Sequence, residues 1–160
     1  MHADLLNTAL ELLCPSTVAY PTPTAIRRSV STTYYAMFHH ISAVCADFLA
    51  HGRAKNLGRA QMQVYRSLDH RDVVAACHIA LRPGLEFPPP IFEYAGIFLS
   101  MHTRRGRADY DPSCVGDFHS MQAFNCIADV EAAIRGFDAV DEDDKRAFAV
   151  LVAIRKGRMT

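Results

Sequence analysis

Three arginines, two aspartates and a tyrosine stand together between residues 104 and 111 of this chain: Arg104, Arg105, Arg107, Asp109, Asp111 and Tyr110. Arginine stays charged at physiological pH, and its planar guanidinium forms paired hydrogen bonds with phosphate or carboxylate groups. The cluster therefore indicates one of two things. It is either an anion or RNA site, or a solvated helix end at which the arginines pair with the neighbouring aspartates.

A second polar and aromatic segment, RRSVSTTYYAMFHH, runs from residue 27 to residue 40. Its helical spacing places polar and aromatic side chains along a long helix. Arg28 and Tyr35 are candidate substrate-binding residues in this segment, and His39 is a candidate base. His39 stands beside Phe38, where a histidine is more often a buried group with a hydrogen-bond partner in the protein. Both interpretations of His39 stay open at the level of the sequence.

The composition excludes several classes of protein. The 160 residues are enough for one domain with its own core, and the formal net charge is zero, so any RNA binding must come from a local patch. No apolar run approaches the length of a membrane span, and the N-terminus lacks the basic region of a signal peptide. Five scattered cysteines without C-x-x-C spacing favour reduced thiols. A cytoplasmic protein is expected.

Apolar residues recur at helical spacing nearly throughout the chain, and no alternating pattern requires a sheet. The pattern predicts an amphipathic helix at the N-terminus, and five more over about residues 24–52, 59–81, 91–105, 115–137 and 141 onward. The predicted fold is an all-α bundle of five to six helices in a single domain, 1–160. Its core would span about residues 24–138, and residues 139–160 would form a C-terminal helix and tail.

The segment from residue 27 to residue 39 resembles the long first helix of HEPN-domain proteins, and in particular a bacterial subgroup written roughly as RRA-S-AYYA-FH. Val64–His70 and Arg105–Asp111 (RGRADYD) match two further signatures of that subgroup, in the same order. The resemblance covers roughly residues 24 to 138. It implies a HEPN-like helical bundle that usually forms a homodimer.

The resemblance also implies a function. Many HEPN proteins are metal-independent RNases of toxin–antitoxin or other bacterial defence systems, and two copies form one composite site. Their signature is an arginine followed a few residues later by a histidine (R-x4-6-H). The histidine moves the proton of the 2′-hydroxyl, and arginines stabilise the negative charge that develops on the phosphate.

This chain lacks that histidine. The residues four to six positions after Arg104 and Arg105 are Ala108, Asp109, Tyr110 and Asp111. Tyrosine has an ordinary pKa of about 10 and is a poor base at neutral pH. If the protein cleaves RNA, Arg104 or Arg105 would stabilise the transition state. His39, or else Asp109 or Asp111, would be the base, and Tyr110 would stand in the histidine slot.

Two functions therefore stay open. The first is a HEPN-like RNase that needs no metal and no cofactor, with Arg107, Asp109, Asp111, Arg28 and Tyr35 contacting the substrate. The second is a catalytically silent HEPN module that binds RNA, a nucleotide or a cognate partner protein. For the second, an exposed apolar face on the last helix (Phe148, Leu151, Ile154) is the expected partner surface.

Overall fold

A computed structural model describes residues 1–14, 20–50, 58–114 and 118–153, and every regular element in these ranges is helical. The helices are α1 (His2–Leu13), α2 (Pro23–Leu49), α3 (Arg59–Ser67), α4 (His70–Ala80), α5 (Pro89–Tyr110), α6 (Ser120–Asp138) and α7 (Glu142–Ala153), with a short 3-10 turn at Pro112–Cys114. The expectation of an all-α bundle is confirmed.

Helix α2 is the central element of the bundle. It begins at Pro23, whose fixed φ suits a first helical turn, and the hydroxyl of Thr22 caps it by accepting from the backbone N–H of Ala25 at 3.2 Å. Helices α1, α3, α5, α6 and α7 all pack against α2. Residues on most sides of α2 are therefore buried, including polar ones such as Ser29 and Thr33.

Aromatic side chains fill the centre of the bundle. The largest fully buried ones are Tyr34, Tyr94, Phe98, Phe137 and Phe148, which come from α2, α5, α6 and α7. The rings of Tyr94 and Phe137 lie 4.7 Å apart between centroids, and those of Phe137 and Phe148 lie 5.7 Å apart. Ring pairs at these separations add to the energy of simple area burial.

Hydrogen bonds of the buried His40 and Tyr94 join three helices beside these rings. Nε2 of His40 lies 2.9 Å from Oδ1 of Asp138, and its Nδ1 lies 3.1 Å from the hydroxyl of Tyr94. That hydroxyl donates to the carbonyl oxygen of Met37 at 3.0 Å. The hydrogen bond from His40 holds the pKa of Asp138 below its usual value. Buried polar groups are thus satisfied where α2, α5 and α6 meet.

The expected second helix over residues 59–81 is wrong, because the structure has two helices there, α3 and α4. Asp69 separates them: its carboxylate accepts from the backbone N–H of Asp72 at 2.9 Å, which caps α4. A side chain that caps a new helix favours extended backbone at its own position, and this ends the preceding helix. The described residues therefore form seven helices instead of five or six.

The third predicted helix also differs from the structure. It was expected to stop near Gly106, but α5 continues to Tyr110. The arginine cluster therefore lies within the last two turns of α5, and Gly106 is an ordinary helical position.

The apolar face expected on the last helix is not exposed. Phe148 is fully buried in the core, and Leu151 packs against the core. Ile154 lies outside the described residues. Helix α7 uses this face to close the bundle, so the face cannot be a partner surface in this fold. Within the described ranges, no helix is both long and apolar enough to cross a membrane.

The core contacts predict a large difference between two substitutions on α6. Phe137→Ala removes a fully buried ring and should lower the free energy of unfolding by about 3–5 kcal/mol. Met121→Ala, at a side chain that is 68% exposed, should change it by less than about 0.5 kcal/mol. Urea unfolding followed by circular dichroism measures both. Equal losses for the two variants would contradict the packing described here.

Candidate functional site

An open pocket of about 410 Å³ lies where the beginning of α2 meets the end of α5. Its lining residues are Thr24, Arg27, Arg28, Tyr35, Arg105, Ala108, Asp109 and Tyr110. Five of these were candidates from the sequence: Arg28, Tyr35, Arg105, Asp109 and Tyr110. The structure brings them together even though the two segments are more than 60 residues apart in the chain.

Arg27 fixes the two helices relative to each other. Its Nε donates to the carbonyl oxygen of Ala108 at 2.7 Å, and its Nη2 donates to that of Asp111 at 3.2 Å. The last carbonyls of a helix have no partner within the helix and carry partial negative charge. The guanidinium of Arg27 therefore satisfies the end of α5 and holds it against the first turns of α2.

Arg105 occupies the centre of the site. Its Nη2 donates to the hydroxyl of Tyr35 at 2.8 Å and to that of Tyr110 at 3.2 Å. The guanidinium carbon also lies 5.4 Å from the ring centroid of Tyr35 and 5.2 Å from that of Tyr110. Burial opposes its charge, but the hydrogen bond with Tyr35 and the nearby polar groups outweigh burial and raise the pKa of Arg105.

Asp109 lies between Arg105 and α2. Its Oδ2 accepts a hydrogen bond from the hydroxyl of Ser31 at 3.1 Å and lies 2.9 Å from Nε of Arg105. This second contact is an ion pair by distance only, because the N–H of Nε does not point toward the oxygen. Nε of Arg105 is buried without a hydrogen-bond partner. The carboxylate of Asp109 thus offsets the positive charge of Arg105 but accepts no hydrogen bond from its Nε.

Arg28 is the least constrained cation of the pocket. It is exposed, and it forms no hydrogen bond or ion pair with any residue in the described part of the chain. Tyr110 is 72% exposed at the edge of the pocket, and Tyr35 is half-buried in its wall. The pocket therefore presents a solvent-facing guanidinium and two aromatic side chains in one lining.

The other sequence candidates lie outside this lining. Arg104 points elsewhere on α5, with its Nε 3.4 Å from the hydroxyl of Ser100. Arg107 lies over the ring of Phe118, at 6.0 Å from its centroid. The carboxylate of Asp111 accepts from the backbone N–H of Ser113 at 2.9 Å and shapes the turn after α5.

His39 also lies away from the pocket lining. Its Nδ1 hydrogen-bonds to the hydroxyl of Tyr65 on α3, and the two rings are stacked 5.8 Å apart. Burial lowers the pKa of His39. The side chain thus serves chiefly to join α2 to α3.

Two other histidines, His70 and His102, lie within electrostatic range of Arg105. Nδ1 of His70 lies 2.7 Å from the hydroxyl of Tyr34, and the ring of His102 lies 5.8 Å from the Tyr34 ring. Burial, and then the charge of Arg105, lower the pKa of both imidazoles.

Burial raises the pKa of Tyr34, so its hydroxyl keeps its proton and shares one hydrogen with Nδ1 of His70. This contact holds the imidazole of His70 against α2.

The sequence analysis missed Arg27 and Ser31 as site residues, and the signal for them was present. Residues 27, 31, 35 and 39 are spaced by four, which places them along one face of a helix. Three of these contact α5, and His39 contacts α3. The identity of the facing helix, which gives this face its meaning, is not encoded in the spacing.

The contact of Arg27 with the end of α5 predicts that substitutions of two neighbouring arginines change the free energy of unfolding by different amounts. Arg27→Ala leaves two helix-end carbonyls without their charged donor and should lower the free energy of unfolding by about 1–2 kcal/mol. Arg28→Ala removes an exposed side chain and should change it by less than about 0.5 kcal/mol. Urea unfolding of both variants measures this, and an equal effect would contradict the capping role.

The lowered histidine pKa values predict how stability depends on pH. His39, His70 and His102 bind a proton more weakly in the folded state than at the ordinary value of 6.5, so the unfolded chain takes up more protons below that pH. The free energy of unfolding should therefore have its full value above about pH 7, and it should fall as the pH drops through the lowered folded-state pKa values. Urea unfolding between about pH 7.5 and pH 5 measures the slope, which a His70→Gln/His102→Gln variant should reduce. An unchanged slope would contradict the neutral state of these rings.

Comparisons of the chain with protein-family models, with curated proteins and with solved structures gave no significant match. The HEPN resemblance therefore depends on the sequence signatures alone and stays a prediction. The all-α fold and the geometry of the pocket are independent of it.

Proposed function

We propose that this protein binds the phosphate groups of RNA or of a nucleotide in the pocket between α2 and α5. The observation that carries the proposal is the approach of Arg27, Arg28 and Arg105 to one open pocket, with Asp109 as the acidic group in its lining. This excess of positive charge is local, in a chain whose formal net charge is zero. Because the chain has no net positive charge, RNA binding needs a local basic patch, and this pocket is such a patch.

Free donors support the proposal. Arg28 is exposed and makes no hydrogen bond in the described part of the chain, so its guanidinium is available to a ligand. Nη1 of Arg105 likewise has no hydrogen-bond partner among the described residues, whereas Nη2 is held by Tyr35 and Tyr110. A guanidinium that is positioned by its neighbours loses little conformational entropy when it binds a phosphate.

The helix ends and the size of the pocket also suit a phosphate-bearing ligand. Thr24 stands in the first turn of α2, where the partial positive charge of the helix end favours anions. Arg27 offsets the opposite charge at the end of α5. A volume of about 410 Å³ falls in the range of small-molecule sites, and it suits one nucleotide unit better than a duplex.

The tyrosines suggest single-stranded RNA or a free nucleotide. Tyr110 is mostly exposed at the rim, and Tyr35 forms part of the wall. An unpaired base can stack on such a ring, and stacking contributes about 1–3 kcal/mol per base in proteins that bind single strands. On this proposal the protein is a HEPN-like binding module of a bacterial defence or toxin–antitoxin type.

Metal-independent RNA cleavage is the second candidate. The observation that favours it is that His70 and His102 lie within electrostatic range of Arg105 and stay neutral near pH 7. A neutral imidazole is the form that accepts a proton in this chemistry. Binding is the better supported function, since the described lining of the pocket contains no histidine. The resemblance also implies a homodimer in which two copies form one composite site.

A binding experiment tests the first candidate. Fluorescence anisotropy of a labelled single-stranded RNA of about ten nucleotides should show saturable binding that weakens with salt. Arg28→Ala should weaken it by about tenfold and reduce the salt slope by about one, the effect of losing one phosphate contact. Arg82→Ala, which removes an exposed arginine after α4, is the matched control and should change little. Equal effects of the two variants would contradict the proposal.

A cleavage assay separates the two candidates. The purified protein is incubated with labelled RNA in EDTA, beside His102→Gln and an Arg104→Ala/Arg105→Ala variant that is shown to be folded. On the binding proposal the RNA stays intact with all three proteins. Cleavage that both variants lose would make the protein a metal-independent RNase instead.

A further inference from the structure

We infer that Asp109 is an internal competitor of the ligand: its carboxylate occupies the Nε edge of Arg105, and an incoming phosphate displaces it. This inference rests on the proposed function, because it concerns the regulation of affinity at the same pocket. It assigns to Asp109 a role opposite to that of a substrate-binding residue.

The first support is the quality of the contact between the two side chains. Oδ2 of Asp109 lies 2.9 Å from Nε of Arg105, yet Nε makes no hydrogen bond and is buried. A buried donor without a partner is costly, and a donor on a charged group costs more. An oxygen that meets the N–H in line would be preferred over the present carboxylate, and a phosphate oxygen that displaces the carboxylate can meet Nε in this way.

The second support is the position of the carboxylate. Asp109 itself lines the pocket, so its negative charge faces the space that a phosphate would fill. The two side chains are only 14% and 16% exposed, and water therefore screens this charge less than it would at an open surface. Without displacement, an anion in the pocket would meet a like charge at close range.

The third support is that the carboxylate is held where it is by a partner other than Arg105. The hydroxyl of Ser31 donates to the same Oδ2 at 3.1 Å. Because its acceptor is charged, this single hydrogen bond contributes about 1.5–3 kcal/mol, so it biases the side chain toward the competing position without locking it there. The competitor is thus tethered by one hydrogen bond, which a ligand can displace.

The nearest alternative is that Asp109 positions Arg105 for the ligand. The two roles predict opposite signs for the same substitution. Removal of a competitor tightens binding, whereas removal of a positioning group weakens it. The hydrogen bonds of Tyr35 and Tyr110 already hold Nη2 of Arg105, so the guanidinium keeps its place without Asp109.

Asp109→Asn tests the inference with the labelled single-stranded RNA described above. Asparagine keeps the shape of the side chain and can still accept from Ser31, so the variant should fold, as thermal unfolding will confirm. We expect its RNA affinity to be about tenfold higher than that of the wild type, the scale of one removed charge at close range. Asp129→Asn, an exposed carboxylate on α6, changes the net charge equally and should alter affinity by less than about twofold.

Ser31→Ala is the second variant, because it releases the tether and leaves the charge in place. Binding about two- to threefold tighter is expected, whereas a purely structural role of the tether predicts weaker binding. Equal or weaker binding by Asp109→Asn, with binding that still depends on Arg28, would overturn this inference alone. Failure of the wild type and of Asp109→Asn to bind the RNA would overturn the proposed function and this inference together.

Discussion

The contact between the guanidinium of Arg27 and the last carbonyls of α5 is the interaction on which the site depends. It satisfies groups that every helix end leaves without partners, and it fixes the end of α5 beside the start of α2. Ser31 and Tyr35, one and two turns further along α2, then face Asp109 and Arg105. Without this registration the two polar segments would be separate helix surfaces and would not form a pocket.

Three of the charged side chains at the junction of α2 and α5 have different roles. Arg27 is used for structure, because both of its contacts are to backbone carbonyls of α5. Arg105 is shared, since tyrosine hydroxyls and a carboxylate hold parts of its guanidinium while Nη1 stays open to a ligand. Arg28 has no structural role that the described contacts reveal. A site built in this way can be stable without a ligand and still keep donors for one.

The buried rings behind the pocket influence which of the neighbouring side chains are charged. Tyr34 lies between Arg105, His70 and His102, and its burial with Phe98 removes water from their inner side. Burial, and then the charge of the guanidinium, lower the pKa of both imidazoles, so they are neutral while the guanidinium stays charged. The difference between a binding module and a nuclease depends on whether such a neutral ring can reach a bound 2′-hydroxyl.

The sequence by itself determined that the chain is helical, where most helices lie, and that residues 104–111 carry its densest group of arginines. These follow from local properties: apolar spacing, proline at helix starts and the chemistry of the guanidinium group. It also indicated five of the residues that line the pocket. Local pattern could not show that Asp69 divides one predicted helix or that α5 runs through Gly106, because these boundaries depend on which contacts compensate the helix ends.

Only the tertiary structure decided which arginines share a site. In sequence Arg104, Arg105 and Arg107 are equivalent, but successive helical residues point about 100° apart, so only Arg105 faces α2 and the pocket. The packing of the helices also places His39 against α3 and not in the pocket. Arg27 becomes a site residue only because α5 ends beside it. The sequence determines the chemistry of each side chain, whereas the packing of helices that are far apart in the chain determines which partner that side chain contacts.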